Sequence, residues 1–399
     1  MSKSVLVVAD GHYYRTLDNE VYVDSIYDYS FYKRYLNVFD HVYAVIRAKD
    51  VEVAPAGKKK SSGDRITFLF LPNYHGPYQY FQKYLQIRKC VKQFSQFGDC
   101  AIFRIPAATS NVFCKYYSKI GRPFAVEVVI DPWENFGPQT AGNPIINYIV
   151  RRNWTKLVKD MCQKANGASY VTAEYLQKHY PPRAYIENNS KYFTASYSSV
   201  ELPDDSFAQP RKWSPSQKTF IIVHVSNYFS GYGKGHLVLM QSLKQIIEKG
   251  YDVKIKFIGD GPKRKEFEDY AKRLKISEYV TFVGKLPNGN EVRKVISSAD
   301  LFVLPTLAEG LPRALLEAMA EGLPCLSSPV CGIPEVLESK FLYDFDDIEG
   351  WTRGIINFIT NIDKMGVESK KNIQISKKYA SSILNQKRNG FYEKLYNLA

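Results

Sequence analysis

Leu301–Glu321 reads LFVLPTLAEGLPRALLEAMAE. Leu301–Pro305 opens as a continuous apolar run, the pattern of a strand buried on both faces of a parallel sheet. A loop follows, with Glu309 and Gly310 at its tip. Pro312 then begins a helical pattern, where proline is tolerated because its missing N–H would have no partner anyway. Strand, loop and helix in this order form the unit of a doubly wound α/β sheet.

The same unit recurs on both sides. In the second half, strand-like runs fall at Thr219–Val225, Val253–Gly259, Val280–Val283, Pro324–Ser327 and Phe341–Tyr343, with helices at His236–Glu248, Lys263–Leu274 and Pro312–Glu321. In the first half they fall at Val5–Ala9, His41–Ile46, Ile66–Leu71, Cys100–Ile105, Phe124–Ile130 and Ala168–Thr172, with helical patterns at Ser30–Phe39 and Tyr78–Phe97. Between the halves, 201–217 places three prolines among polar residues and reads as a linker. The expected fold is therefore α/β, with two Rossmann-like, doubly wound parallel-sheet domains facing a central cleft. The first spans 1–200 and the second 218–375, and a last helix, 376–399, is expected to pack back on the first. Ligands of such sheets bind beyond the carboxyl ends of the strands.

A chain of 399 residues is long for one core. With 45% hydrophobic and 24% charged residues it is an ordinary globular composition, so disorder is expected only in linkers. No eighteen apolar residues run together, and Val5–Ala9 is too short for a signal-peptide core. The six cysteines show no zinc spacing and read as reduced thiols of a cytoplasmic protein. The net charge of +14 is uneven: residues 1–200 carry 26 Lys and Arg against 16 Asp and Glu. Such an excess suits an anionic partner. The basic, aromatic stretches Tyr29–Tyr35 and Tyr78–Lys92 could supply an interfacial helix, with Lys33, Arg34, Arg88 and Lys89 as its cations. They match no nucleic-acid-binding module.

The chemistry concentrates at strand ends of the second half. Glu309 stands just before the helix at Pro312 and Glu317 lies inside it, among Leu315, Leu316 and Met319. A carboxylate on so apolar a helix needs a partner. Backbone N–H groups of Leu311, Arg313 and Ala314, at the helix start, suit a phosphate. Glu309 would then lie beside a sugar's hydroxyls, and Glu317 could accept from a ribose. Ser226–Gly235 reads SNYFSGYGKG, in which glycines permit close backbone approach and Lys234 can reach a phosphate. It is neither a Walker loop nor a GxGxxG, so a dehydrogenase is not indicated. Phe257–Pro262 and Phe282–Leu286 add two more strand-end loops. In the first half, Asp131 closes a strand and could stabilise a developing cation or orient an acceptor hydroxyl; it serves equally as a turn residue before Pro132. His12 could touch a phosphate or be a satisfied loop histidine.

Residues 220–340 resemble the C-terminal domain of the family-4 retaining glycosyltransferases, of GT-B fold. The family's two acids with seven residues between them match Glu309 and Glu317, its Lys-Gly matches Lys234 and Gly235, and its Gly-x-Gly-Pro turn matches Gly259–Pro262. Its lead-in SADLFVLPT is Ser298–Thr306, and its Gly-x-Pro-Glu is Gly332–Glu335. The resemblance implies that Glu309 holds donor sugar hydroxyls, Glu317 the ribose and Lys234 the diphosphate. It further implies phosphate contacts from the backbone after Gly310 and base contacts from Gly284–Leu286.

Two features depart from the family pattern. Phe229 and its neighbours stand where an Arg is frequent, and only Gly11 represents the paired glycines after the first strand. The activity implied is transfer of a sugar from a nucleotide-diphosphate sugar, UDP-sugar favoured and GDP-sugar open, with retention. The acceptor would be lipid-linked or a glycan, in capsule, exopolysaccharide or lipopolysaccharide synthesis. Neither cofactor nor metal is expected, since no Asp-x-Asp lies convincingly at a strand end. The expected place is cytoplasmic, peripheral on the inner face of the cell membrane. A non-catalytic nucleotide-sugar binding or scaffold protein of the same fold is the alternative, and a donor-hydrolysis assay separates the two.

Overall fold

In the computed structural model, which describes residues 2–137, 143–214, 216–217 and 219–399, the apolar runs assemble into two sheets. Contacts divide the chain into two units. The first takes residues up to Pro132, Arg152–Tyr197 and Asn385–Ala399, and the second takes Trp133–Arg151 and Ser198–Leu384. Residues 133–151 thus group with the second unit, which a division at residue 200 does not anticipate.

The first unit contains β1 (Ser4–Arg15), β2 (Val21–Val23), β3 (His41–Asp50), β4 (Lys59–Lys60), β5 (Ile66–Leu71), β6 (Cys100–Ile105), β7 (Phe124–Val128), β8 (Gly167–Tyr170) and β9 (Phe193–Ser196). Seven of them run parallel in the order β5-β3-β1-β6-β7-β8-β9. Cys100–Ile105 is buried throughout, as a strand covered on both faces must be. β1 is longer than its apolar run: after a register shift between Val8 and His12 it continues to Arg15 beside β3. Its far end also pairs antiparallel with β2, which pairs with β4.

Three local expectations change. Tyr78–Phe97 is two helices, Gly76–Gln82 and Tyr84–Phe94, and Ser30–Phe39 is one short helix followed by a 3-10 turn. The helix Pro144–Lys164 was not anticipated. Phe341–Tyr343 forms no strand but the end of a 3-10 turn, touching β14 by a single bridge at Leu342.

The second unit is a five-stranded parallel sheet of β10 (Phe220–Tyr228), β11 (Val253–Asp260), β12 (Val280–Gly284), β13 (Leu301–Leu304) and β14 (Cys325–Ser327). Its order, β12-β11-β10-β13-β14, reverses direction between β10 and β13. That crevice is where an open α/β sheet takes a ligand. Leu239, Leu243 and Ile246 from one helix, with Trp351, Ile355 and Phe358 from another, are buried in the same core as Ile222 and Val303. The linker is not loose on this unit: Arg211 donates to the carbonyls of Ala299, Ser297 and Glu321. Pro215 of the linker lies outside the described residues.

Candidate functional site

The loops leaving β10 and β13 are laced together across the topological switch. Leu307 N–H donates to the Gly233 carbonyl at 3.0 Å. Gly235 has φ +68°, and a Cβ there would lie 2.4 Å from the Pro305 carbonyl oxygen. Only glycine fits so close an approach in the left-handed region. Gly259, at the end of β11, is pressed against the same loop, since a Cβ there would meet the Ser226 carbonyl oxygen at 1.6 Å.

This lacing brings Lys234 to Glu309. The ammonium contacts Glu309 Oε1 and also donates to the Ala308 carbonyl at 3.1 Å and to Thr306 Oγ1 at 3.4 Å. Their side chains are 35% and 22% exposed, so the pair is half-buried and open to a ligand. Both charges predicted to handle a donor are present together, and they satisfy each other.

The helix Arg313–Ala320 starts at the N-cap Pro312, as the sequence suggests, and buries Leu315, Leu316 and Met319. Glu317 is 17% exposed, and its nearest cation is Arg313 at 3.9 Å. Burial pushes its carboxyl above the usual range, opposed by Arg313 and Arg293. Its carboxyl makes no hydrogen bond among the described residues, which leaves its oxygens free for a ligand's hydroxyls. The Gly310 carbonyl, in contrast, is used, accepting from Gly332 N–H at 2.9 Å. Leu311 is buried beside it. Gly284 closes β12 with φ +88°, and Leu286 is half-buried beyond it.

Sequence reasoning passed over two histidines under this site. His224 Nε2 donates to the Lys234 carbonyl at 2.6 Å, holding the backbone that carries the ammonium. His236 is boxed by His224, Phe229, Phe257 and Phe267, stacking on the last at 4.5 Å. Burial lowers His224 to about 4 and His236 to about 2. The SNYFSGYGKG loop contained the signal: Phe229, which replaces the family's frequent Arg, is fully buried in this box and so is a core residue.

The first-unit candidates differ. Asp131 is fully buried and accepts from Tyr180 Oη and, at 3.3 Å, from Tyr175 Oη. Of the two readings left open for Asp131, its burial does not favour a carboxylate offered to a substrate. Gly11 lies under the rings of Tyr13 and Tyr27, 2.9 and 3.1 Å from where a Cβ would stand, so ring packing explains its size. His12 sits on β1, not in a loop, exposed and stacked on His75 at 4.4 Å. Burial, Arg47 and His75 all lower its pKa. Among the described residues no group of three or more His, Cys, Asp or Glu is placed to hold a metal ion, and no helix is long and apolar enough to cross a membrane.

Known proteins share the two α/β sheets, and the family match falls on the sheet that carries the Lys234–Glu309 pair. Residues 219–361 match the family described as glycosyl transferases group 1. The match lies within the second unit. It is 28% identical to protein CapJ of Staphylococcus aureus, over 94% of this chain and 95% of that one. It is 32% identical to the putative colanic acid biosynthesis glycosyltransferase WcaL of Escherichia coli, over 30% of this chain and 29% of that one. Sucrose-phosphate synthase from Thermosynechococcus elongatus matches 100% of both chains with a TM-score of 0.72 at 13% identity. Anabaena HepE in complex with UDP matches 96% of this chain and 97% of its own with a TM-score of 0.65 at 15% identity. These two likenesses establish the fold, which is GT-B.

Proposed function

We propose that the chain moves a sugar from a nucleotide-diphosphate sugar, a UDP-sugar in preference to a GDP-sugar, onto a lipid-linked or glycan acceptor of a surface polysaccharide. The reading rests on the Lys234–Glu309 contact at the switch point of the second sheet. A diphosphate is the stronger partner for an ammonium than one carboxylate. On arrival it takes Lys234, and Glu309 turns to the sugar hydroxyls. Backbone N–H groups at the start of the helix Arg313–Ala320 supply further preorganised positive potential for the leaving diphosphate. Glu317 takes the ribose.

Transfer proceeds with retention and without a metal, as in the family that the motifs resemble. The UDP held by HepE favours that base, and the colanic acid pathway of WcaL favours a surface polysaccharide. The protein acts as a peripheral one at the inner face of the membrane. Incubation with a panel of nucleotide sugars and a lipid-linked acceptor, read by mass spectrometry, tests the activity. Nucleotide binding with neither transfer nor donor hydrolysis would leave a binding or scaffold role instead.

A further inference from the structure

Residues 76–98 contain no Asp or Glu, yet contain Lys83, Arg88, Lys89 and Lys92. They form the helices Gly76–Gln82 and Tyr84–Phe94 of the first unit. The second helix buries Ile87, Val91 and Phe94 on one face. Its opposite face carries Leu85, Arg88, Lys89 and Lys92, at the three- and four-residue spacing of one stripe. The first helix, just before it, buries nothing and adds Tyr78 and Phe81. Tyr78, Phe81 and Leu85 are 75%, 72% and 76% exposed. Large apolar side chains this exposed, within eight residues of one another, mark a contact surface.

We infer that this face docks on an anionic lipid bilayer, with Tyr78, Phe81 and Leu85 entering the interface and Arg88, Lys89 and Lys92 meeting the headgroups. Charge decides the occupant. Apolar residues flanked by cations alone, with no acid in the whole segment, complement an anionic surface. The inference deepens the peripheral placement proposed above but does not depend on the sugar-transfer reading. It also divides the basic stretches of the sequence. Tyr29–Tyr35 belongs to the core, where Phe31, Tyr32 and Tyr35 are buried and Arg34 is 14% exposed, 3.7 Å from Glu127. Arg34 therefore cannot meet a headgroup, and Lys33 stands alone.

Sedimentation of the full chain with phosphatidylglycerol-containing vesicles, and with pure phosphatidylcholine vesicles, tests the inference. The chain should pellet with the anionic vesicles at low salt and be released as salt rises. The combined Arg88→Gln, Lys89→Gln and Lys92→Gln variant should bind roughly a hundredfold more weakly. Phe81→Ser with Leu85→Ser should weaken binding at least about tenfold, and Lys33→Gln should leave it unchanged. All three variants should retain wild-type UDP affinity, which shows that they are folded and separates this test from the donor site. The inference is overturned if the wild-type chain stays in the supernatant, or if both stripe variants pellet like wild type. It is equally overturned if Phe81→Ser with Leu85→Ser converts an oligomer to a monomer while vesicle binding persists.

Discussion

Lys234 and Glu309, 75 residues apart, hold each other across the point where the second sheet reverses its strand order. Their contact depends on Gly235, whose backbone lies against Pro305 in the left-handed region. Gly235→Ala should cost about 1–3 kcal/mol from backbone conformation alone, and the clash with Pro305 adds to it. The expected result is a lower unfolding temperature together with weakened nucleotide binding. An alanine variant with wild-type melting and wild-type UDP affinity would show that the close approach does not set the loop.

The Glu317 carboxyl has no hydrogen-bond partner among the described residues and its pKa is raised by burial. Glu317→Ala should fold normally and lose about 1–3 kcal/mol of nucleotide affinity, the range for a lost charged hydrogen-bond partner. Acceptance from ribose hydroxyls is strongest when the carboxylate is ionised. Because its pKa lies above the ordinary 4.5, wild-type affinity should begin to fall on acidification while ordinary glutamates are still charged. Glu317→Gln should flatten that part of the pH profile. Calorimetry across pH checks both, and equal profiles for the two proteins would remove Glu317 from the nucleotide site.

The histidine box makes a prediction about stability. The folded pKa values of His224 and His236 lie below the ordinary 6.5, so the unfolded chain binds more protons than the folded one as pH falls from 6.5. Stability that is fully present at neutral pH is lost progressively below it. At pH 5 each histidine should account for about 2 kcal/mol of that loss. His236→Phe, which keeps an aromatic ring in the box, should lessen the fall in denaturation midpoint between pH 7 and pH 5. An identical fall in the variant would mean that His236 takes up protons in the folded protein.

The parallel strands and the switch-point residues were legible because they depend on local pattern: an apolar run, a stop, a loop carrying glycine or acid, a helix start. Much of the rest depends on partners far along the chain. β9 is a four-residue FTAS segment and acquires strand form only by pairing with β8. Pro144–Lys164 buries only Val158, Met161 and Cys162, too little to stand out as an amphipathic stripe. Tyr32 and Tyr35 looked interfacial since a tyrosine joins an apolar body to a polar tip. They are buried because their hydroxyls find Tyr13 at 2.7 Å and Glu127 at 3.3 Å. Glu127 itself, read as one more strand residue, collects Arg104 at 2.7 Å and Tyr392 from the last helix at 2.8 Å. No sequence spacing announces so distant a set.

Charge on the leaving diphosphate is assigned to Lys234 and backbone N–H groups, so sugar transfer should continue in excess chelator. Turnover abolished by chelator and restored by manganese would reassign that role to a metal ion.

The exchange of partners at Lys234 is tested most directly by calorimetric titration of UDP into three proteins. Lys234→Met should weaken UDP by about 1.5–3 kcal/mol, the value of a hydrogen bond to a charged group. Glu309→Gln removes the ammonium's internal competitor and should bind UDP as tightly as wild type or more tightly, while losing sugar transfer. If Lys234→Met binds UDP with wild-type affinity, or Glu309→Gln binds it markedly more weakly, the diphosphate does not displace Glu309 from Lys234 and the account of this site is wrong.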